Sequence, residues 1–150
     1  NITTSILQLL KRINQELGLT IIVVTHQMDV VKQVCERVSV LSHGILTYTG
    51  DVKDAFLKHP EVLTDLLSES LDLALPERGT NIEIIFELDR DSSLLSDLSL
   101  KTGISYEVVW NKVDKYSSGT YGSYTINIAE SDFQKLKAYL DSVKVEWRIL

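Results

Sequence analysis

The stretch IEIIFEL at residues 82–88 decides the fold of the second half of the chain, because apolar and polar side chains alternate along it. Ile82, Ile84 and Phe86 fall on one side of an extended backbone, and Glu83 and Glu87 fall on the other. The same two-residue period returns at residues 104–111, 124–128 and 145–149. We therefore predict four strands, each with one apolar face.

Two helical patterns separate these strands. Leu94, Leu95 and Leu98 mark a helix that ends near Gly103, and a capping-box pattern of Ser131 and Gln134 opens a helix that carries Leu136 and Leu140. The order is βαββαβ, which predicts an α+β, ferredoxin-like domain over residues 81–150 with both helices on one face of an antiparallel sheet.

The alternation also assigns side chains to the two faces of that sheet. The helix-covered face is predicted to hold Ile82, Ile84, Phe86, Tyr106, Val108, Trp110, Tyr124, Ile126, Val145, Trp147 and Ile149. The opposite face mixes Ile85, Val109 and Tyr121 with polar residues such as Glu83, Thr125 and Arg148. Such a face is either ordinary exposed sheet or a surface for a partner or twin subunit, and we favour the partner.

The residue pattern of the first half predicts an α/β layer. Ile6, Leu9, Leu10, Ile13 and Leu17 predict an amphipathic helix, and the β-branched run at residues 19–25 predicts a parallel strand buried on both faces. A helix over residues 27–35, strands over 37–41 and 45–49, and two short helices broken at Pro60 follow. Two strands before a hairpin are few for such a layer, so we expect the sheet to be incomplete.

A domain boundary is predicted at the stretch SESLDLALPERGT, residues 68–80, where periodicity weakens around Pro76 and Gly79. We assign residues 1–67 to the first domain, 68–80 to a linker and 81–150 to the second. The chain starts at Asn1 without a leader-like segment, and we expect it to be a piece of a longer protein.

Composition excludes several classes of protein. Hydrophobic residues make up 44% and charged residues 24% of the 150, as in a folded domain. A net charge of −6 argues against nucleic acid as a partner. No apolar run reaches the roughly 18 residues that a bilayer span needs. Cys35 is the single cysteine, which excludes an internal disulfide and fits a reducing compartment.

His26 is the sharpest candidate site residue, because it follows the predicted strand directly within Thr25-His26-Gln27. From LGLTIIVVTHQMDVVKQVCERVSVL through Gly44 and ILTYTG to DVKDAF, the first half resembles the C-terminal part of a P-loop ABC-transporter ATPase domain. The resemblance implies that His26 is the switch histidine, which hydrogen-bonds the γ-phosphate of ATP and orders the attacking water. A neutral imidazole suits this role because it both donates and accepts.

The same resemblance shows which ATPase motifs this sequence lacks. It contains no GxxxxGK[ST] phosphate loop, no LSGGQ-type signature and no hydrophobic strand ending in Asp-Glu. We expect ATP and Mg to be bound by the intact parent, an ATP-hydrolysing translocase subunit. The fragment alone is expected to hold no cofactor and to be inactive.

The second half resembles the NIL domain of methionine-import ATPase subunits, through IEIIFEL, TGISYEVVW, YGSYTINI and VEWRIL. The resemblance implies a homodimer, transmembrane permease subunits as partners, and a place at the cytoplasmic face of the membrane. It also implies that methionine or a related amino acid binds at Ile104, Ser105, Tyr106 and Glu107. The family often has Asn at the position of Glu107, whose acid can pair with an ammonium but cannot donate to a carboxylate. The alternative is a pure dimerisation module without a small ligand.

The remaining histidines, the cysteine and the Asp51–Asp54 pair are not predicted to form a metal or catalytic site. His26, Cys35, His43 and His59 lack the paired spacings of zinc ligands, so no metal site is predicted. Cys35 follows the apolar period and is expected to pack rather than react. Asp51 and Asp54 are expected to start a helix, because carboxylates stabilise its first turn.

Overall fold

The computed structural model describes residues 2–58, 60–63 and 74–150 and divides the chain into two compact units. The first comprises residues 1–70 with 115–119, and the second comprises 71–114 with 120–150. Within the described residues the chain combines helices with two separate sheets, as the sequence predicts. The predicted linker lies partly outside the described residues, since 64–73 are not among them.

The first unit contains three helices and a hairpin in its described part. Their bounds are α1 Ile2–Leu17, α2 Met28–Val34, β1 Arg37–Ser42, β2 Ile45–Asp51 and α3 Val52–Leu57, followed by a 3-10 turn Pro60–Leu63. Strands β1 and β2 pair antiparallel around His43-Gly44, where both residues have positive φ. A small core of Val40, Ala55 and Leu63 holds the hairpin against α3.

The start of α3 is explained by local chemistry. Asp51 caps α3, since its Oδ1 accepts from the backbone N–H groups of Lys53 at 2.8 Å and Asp54 at 3.3 Å. Asp51 and Asp54 therefore begin a helix, as predicted. The helix predicted around Ile6 and Leu9 is also present, but both side chains are exposed in the described structure.

The prediction of a buried strand at residues 19–25 is wrong for the described structure. These residues form no strand, and Ile22 and Val24 are 86% and 96% exposed. The sequence has the side chains of a covered strand, but a strand also needs a neighbour to hydrogen-bond its backbone. Among the described residues, the first unit offers only the β1–β2 hairpin, which does not pair with this segment.

The second unit has four strands and two main helices in its described part. Their bounds are β3 Thr80–Glu87, α4 Leu88–Asp91, α5 Leu94–Thr102, β4 Tyr106–Tyr116, β5 Gly119–Ile128, a 3-10 turn Glu130–Asp132, α6 Phe133–Val143 and β6 Glu146–Ile149. The order across the sheet is β4-β5-β3-β6, with β3 antiparallel to both β5 and β6. The first strand of the unit in sequence therefore lies inside the sheet.

The core of the second unit lies between one sheet face and the helices. Residues from β3 and β5 meet residues from α5 and α6 there, namely Ile82, Ile84, Phe86, Ile126, Ile128, Leu94, Leu98, Leu136 and Leu140. Two residues predicted for this face are exposed instead, Val108 by 45% and Ile149 by 56%. Both belong to edge strands, which have a neighbouring strand on one side only.

Candidate functional site

His26 lies on the surface, at the start of α2. The side chain is exposed, and no aliphatic packing encloses it. Thr25 Oγ1 accepts from the Gln27 N–H at 3.0 Å, and the Gln27 carbonyl accepts from the Val30 and Val31 N–H groups. The backbone on both sides of His26 is thus fixed by short-range hydrogen bonds, and the imidazole is left available to an outside group.

The thiol at the other end of α2 is of a different kind. Cys35 is partly buried, and that burial raises the pKa of its thiol above the ordinary value. A higher pKa leaves less thiolate, which is the reactive form. Cys35 therefore behaves as a packed residue, as its place in the apolar period predicts.

The second predicted site spans the end of α5 and the start of β4. Its side chains divide by exposure: Ile104 is buried in the core, Tyr106 is partly buried, and Ser105 and Glu107 are exposed. The Tyr106 hydroxyl donates to the Leu95 carbonyl at 3.0 Å, which ties β4 to α5. Of the four residues, only Ser105 and Glu107 present their side chains to solvent.

The backbone at this second site is held firmly. Gly103 ends α5 in a left-handed conformation with φ of 69°, and its N–H donates to the Ser99 carbonyl. The Ile104 N–H donates to Thr102 Oγ1 at 3.1 Å, and the Ile104 carbonyl accepts from Ser99 Oγ at 3.2 Å. Ser105 and Glu107 therefore project from a segment whose neighbours are fixed on both sides.

The electrostatics of this segment favour a cation. The C-terminal end of a helix carries partial negative charge, and α5 ends at Thr102, three residues before Ser105. The carboxylate of Glu107 adds a full negative charge three residues after Ile104. Lys101, in the last turn of α5, is paired with Asp97 at 3.1 Å. An ammonium group is the ligand chemistry that this arrangement suits best.

The uncovered face of the sheet carries the polar residues that alternation assigned to it, and the structure adds which of them pair. Arg148 Nε donates to Glu83 Oε2 at 2.6 Å, and Glu83 lies opposite Thr125 in the strand register. Thr125 is almost fully buried although it lies on the face away from the helices. Alternation places such residues on a face, but it does not say which of them pair.

The described residues contain neither a cluster of metal-ligand side chains nor a helix that could cross a membrane. No group of three or more His, Cys, Asp or Glu side chains there is arranged to hold a metal ion. None of the helices in that part of the chain is both long enough and apolar enough to cross a membrane.

Comparison with known proteins confirms the resemblance predicted from the sequence. Methionine import ATP-binding protein MetN of Clostridium acetobutylicum is 37% identical over 99% of this chain and 47% of its own length. The MetN proteins of Clostridioides difficile and Wolinella succinogenes are 37% and 33% identical over 98% and 100% of the chain. The chain spans about half the length of these curated relatives.

Comparison with family models and with solved structures does not identify a further relative of this chain. No family model matches the chain. Among solved structures, the de novo designed protein Ferredog-Diesel is 16% identical, covering 55% of this chain and 95% of that one at a TM-score of 0.27.

Proposed function

Since the chain is related along almost its whole length to methionine import ATP-binding proteins, we propose that it is part of the ATP-binding subunit of an amino-acid ABC importer. In this proposal the first unit contributes the switch histidine, and the second unit senses the amino acid. The observation that carries the proposal is the similarity over 99% of the chain, because it includes both proposed functional segments.

The role of His26 is supported by its exposure and by its setting. It stands between two backbone hydrogen-bonding groups at the start of α2 and is open to a ligand. The proposed ligand group is the γ-phosphate of ATP, with Mg supplied to the same nucleotide by the complete subunit. One ring nitrogen would donate to a phosphate oxygen while the other accepts from water.

The second unit is proposed to be a NIL-type domain with a ferredoxin-like fold over residues 81–150, joined by a linker over 68–80 to an ATPase domain that includes 1–67. Support comes from the strand order β4-β5-β3-β6 with two helices on one face. This order places an antiparallel strand between β3 and β4, which is the arrangement of a split βαβ unit.

The proposed ligand of the second unit is methionine or a related amino acid. The exposed Glu107 carboxylate and the end of α5 would hold the ammonium group, and the Ser105 hydroxyl would offer a further hydrogen bond. Ile104 and Tyr106 would act through the backbone, since their side chains are turned toward the core. The rigid backbone reduces the entropic cost of binding.

Regulation would follow from a shift in population. The subunit is proposed to work as a homodimer beside permease subunits at the cytoplasmic face of the membrane, and bound amino acid would favour the inactive arrangement of the ATPase domains. A coupling free energy of about 1–3 kcal/mol would shift the equilibrium between the two arrangements roughly 5- to 150-fold.

Titration of the chain with L-methionine tests the sensing role. A ligand that binds only the folded state adds about 2.7 kcal/mol to the free energy of unfolding at about 100 times its Kd, and urea unfolding measures that gain. We expect the gain with L-methionine to be lost in Glu107→Gln. Glu130→Gln is the matched control, because it removes the same charge from another exposed position of the second unit.

Two outcomes would contradict the sensing role. If no amino acid changes the stability of the chain, the second unit is better explained as a pure dimerisation module. If Glu130→Gln weakens the effect as much as Glu107→Gln does, net charge rather than a site at Glu107 governs binding.

Substitution of His26 tests the role of the first unit. In a complete ATP-binding subunit that contains this sequence, we expect His26→Ala to lower ATP hydrolysis by roughly 100-fold or more, in the range for loss of a group that positions or activates a nucleophile. His43→Asn is the control, since His43 lies in the β1–β2 turn at φ of 50°, a conformation that asparagine tolerates. Equal losses in both variants would refute a specific role for His26.

A further inference from the structure

The residues that lead into β3 are fastened to the sheet by two asparagine side chains. Asn81 Nδ2 donates to the Pro76 carbonyl at 3.0 Å, and Asn127 Nδ2 donates to the Arg78 carbonyl at 2.9 Å. The main chain from Pro76 to Gly79 is thus held at two points by side chains of β3 and β5. All of these residues belong to the second unit.

The two asparagines also hold each other. They lie opposite one another in the register of β3 and β5, and Asn127 Nδ2 donates to Asn81 Oδ1 at 2.9 Å. The Asn81 carbonyl accepts from the Leu150 N–H at 3.0 Å on the other side of β3. The side-chain amides therefore connect the approach segment with the two central strands of the sheet.

Gly79 lets the approach segment come this close. Its φ is +81°, and a Cβ at this position would collide with the Ile128 carbonyl and would come within 2.9 Å of Asn127 Oδ1. A residue with a side chain would have to move the segment away from the sheet. Glycine is therefore required by both the conformation and the contact.

We propose that residues 76–79 are a releasable latch, closed by Asn81 and Asn127, that sets the free length of the polypeptide before β3. Opening the latch would free four residues, which extend to about 13–14 Å at the usual 3.3–3.6 Å per residue. A longer tether lowers the effective concentration of whatever it joins. The latch rests on contacts within the second unit and does not depend on the proposed amino-acid ligand.

Trypsin is a direct probe of the latch, because it cuts after arginine and the Arg78 carbonyl is itself an acceptor in the closed form. The Arg78 side chain is exposed, so access to the side chain does not limit cleavage. In the whole chain we expect the Arg78–Gly79 bond to resist trypsin, and we expect Asn127→Asp to speed its cleavage roughly five- to thirtyfold, the factor for losing one or two weak hydrogen bonds. The substitution keeps the shape of Asn127 and removes both of its N–H donors.

The Lys101–Thr102 bond in α5 serves as the internal reference, and Asn111→Asp, at an exposed position of β4, is the matched control for charge. Selective acceleration at Arg78–Gly79 in Asn127→Asp alone supports the latch. An unchanged rate, or equal acceleration at both bonds, overturns it. Asn81→Asp should accelerate the same cleavage less, because it loses the Pro76 bond but keeps the acceptor for Asn127.

The wild-type chain offers a test that needs no variant. Local opening exposes little surface, so cleavage at Arg78–Gly79 should depend weakly on urea, whereas cleavage at Lys101–Thr102 should depend on it steeply. If the two bonds show the same steep dependence, the segment opens only when the unit unfolds, and the latch is refuted.

Discussion

At the scale of single residues, Asp91 shows how one carboxylate shapes the turn after β3. Its side chain is 9% exposed, its Oδ1 accepts from Arg90 Nε at 2.8 Å, and its Oδ2 accepts from the Glu87 N–H at 2.9 Å. Burial alone would raise the pKa of this carboxyl group, but the hydrogen bonds from Arg90 and Glu87 outweigh it and leave the pKa lowered. The charged form of Asp91 is therefore favoured by folding.

This shift gives a pH-dependent prediction. A carboxyl group whose pKa is lower when folded stabilises the protein at pH values above its unfolded pKa, near 3.9, and loses that contribution as the pH falls through the folded value. We expect Asp91→Asn to lower the free energy of unfolding by about 1–2 kcal/mol at pH 7. Urea unfolding at pH 7 and pH 3 checks this, because the difference from wild type should shrink at pH 3. A constant difference would show that geometry rather than charge is responsible.

The exposure of the candidate site residues could be predicted from the sequence, but their hydrogen-bond partners could not. His26 stands at an exposed turn, consistent with its position after a β-branched run. For residues 104–107, alternation separates Ile104 and Tyr106 from Ser105 and Glu107, and the structure has the same division. The Asn81–Asn127 bond was not foreseeable, since a sequence pattern gives the face of each residue but not its hydrogen-bond partner across the sheet.

At the scale of elements, β3 offers a matched pair of substitutions. Ile84 is fully buried among the helices, whereas Ile85, the next residue, is partly exposed on the other face. We expect Ile84→Ala to lower the free energy of unfolding by about 2–5 kcal/mol, as for other buried isoleucines, and Ile85→Ala to cost clearly less. Urea unfolding of both variants checks this. Equal costs would mean that the uncovered face is as well packed as the core.

Two of the elements that the sequence predicted correctly have their partners nearby in the chain, whereas the strands of the second unit were predicted from alternation although their partner strands lie tens of residues away. The β1–β2 hairpin and the helix capped by Asp51 need contacts only a few residues apart. The strand predicted over residues 19–25 is absent. Its side chains fit a strand, but no strand among the described residues pairs with this segment. The exposure of edge-strand residues such as Val108 and Ile149 was not predicted either, because a period of two does not distinguish a central strand from an edge strand.

At the scale of the whole molecule, each unit has a core of its own. The first is built around Val40, Ala55 and Leu63, and the second around Ile82, Ile84 and Phe86 with the leucines of α5 and α6. The division into units follows from where apolar side chains collect: residues 1–70 with 115–119 form one unit, and 71–114 with 120–150 form the other.

Separate cores predict separate responses to mutation. Val40→Ala removes two buried methyl groups, for an expected loss of about 2 kcal/mol. Native-state hydrogen exchange should then become faster in β1 and β2, while amides of β3 and β6 keep their protection. Thr47→Ala on the same hairpin serves as a milder comparison, because Thr47 makes one side-chain hydrogen bond to the Val40 carbonyl. Faster exchange throughout β3 after Val40→Ala would show that the two cores unfold as one.

The uncovered run from Leu19 to Val24 has a practical consequence for anyone who prepares this chain alone. It is uncharged, rich in β-branched side chains and exposed, which is the composition of segments that stack into intermolecular cross-β assemblies. Concentrated samples should therefore scatter light increasingly with time. A lysine in place of Ile22 would act as a gatekeeper against that self-association.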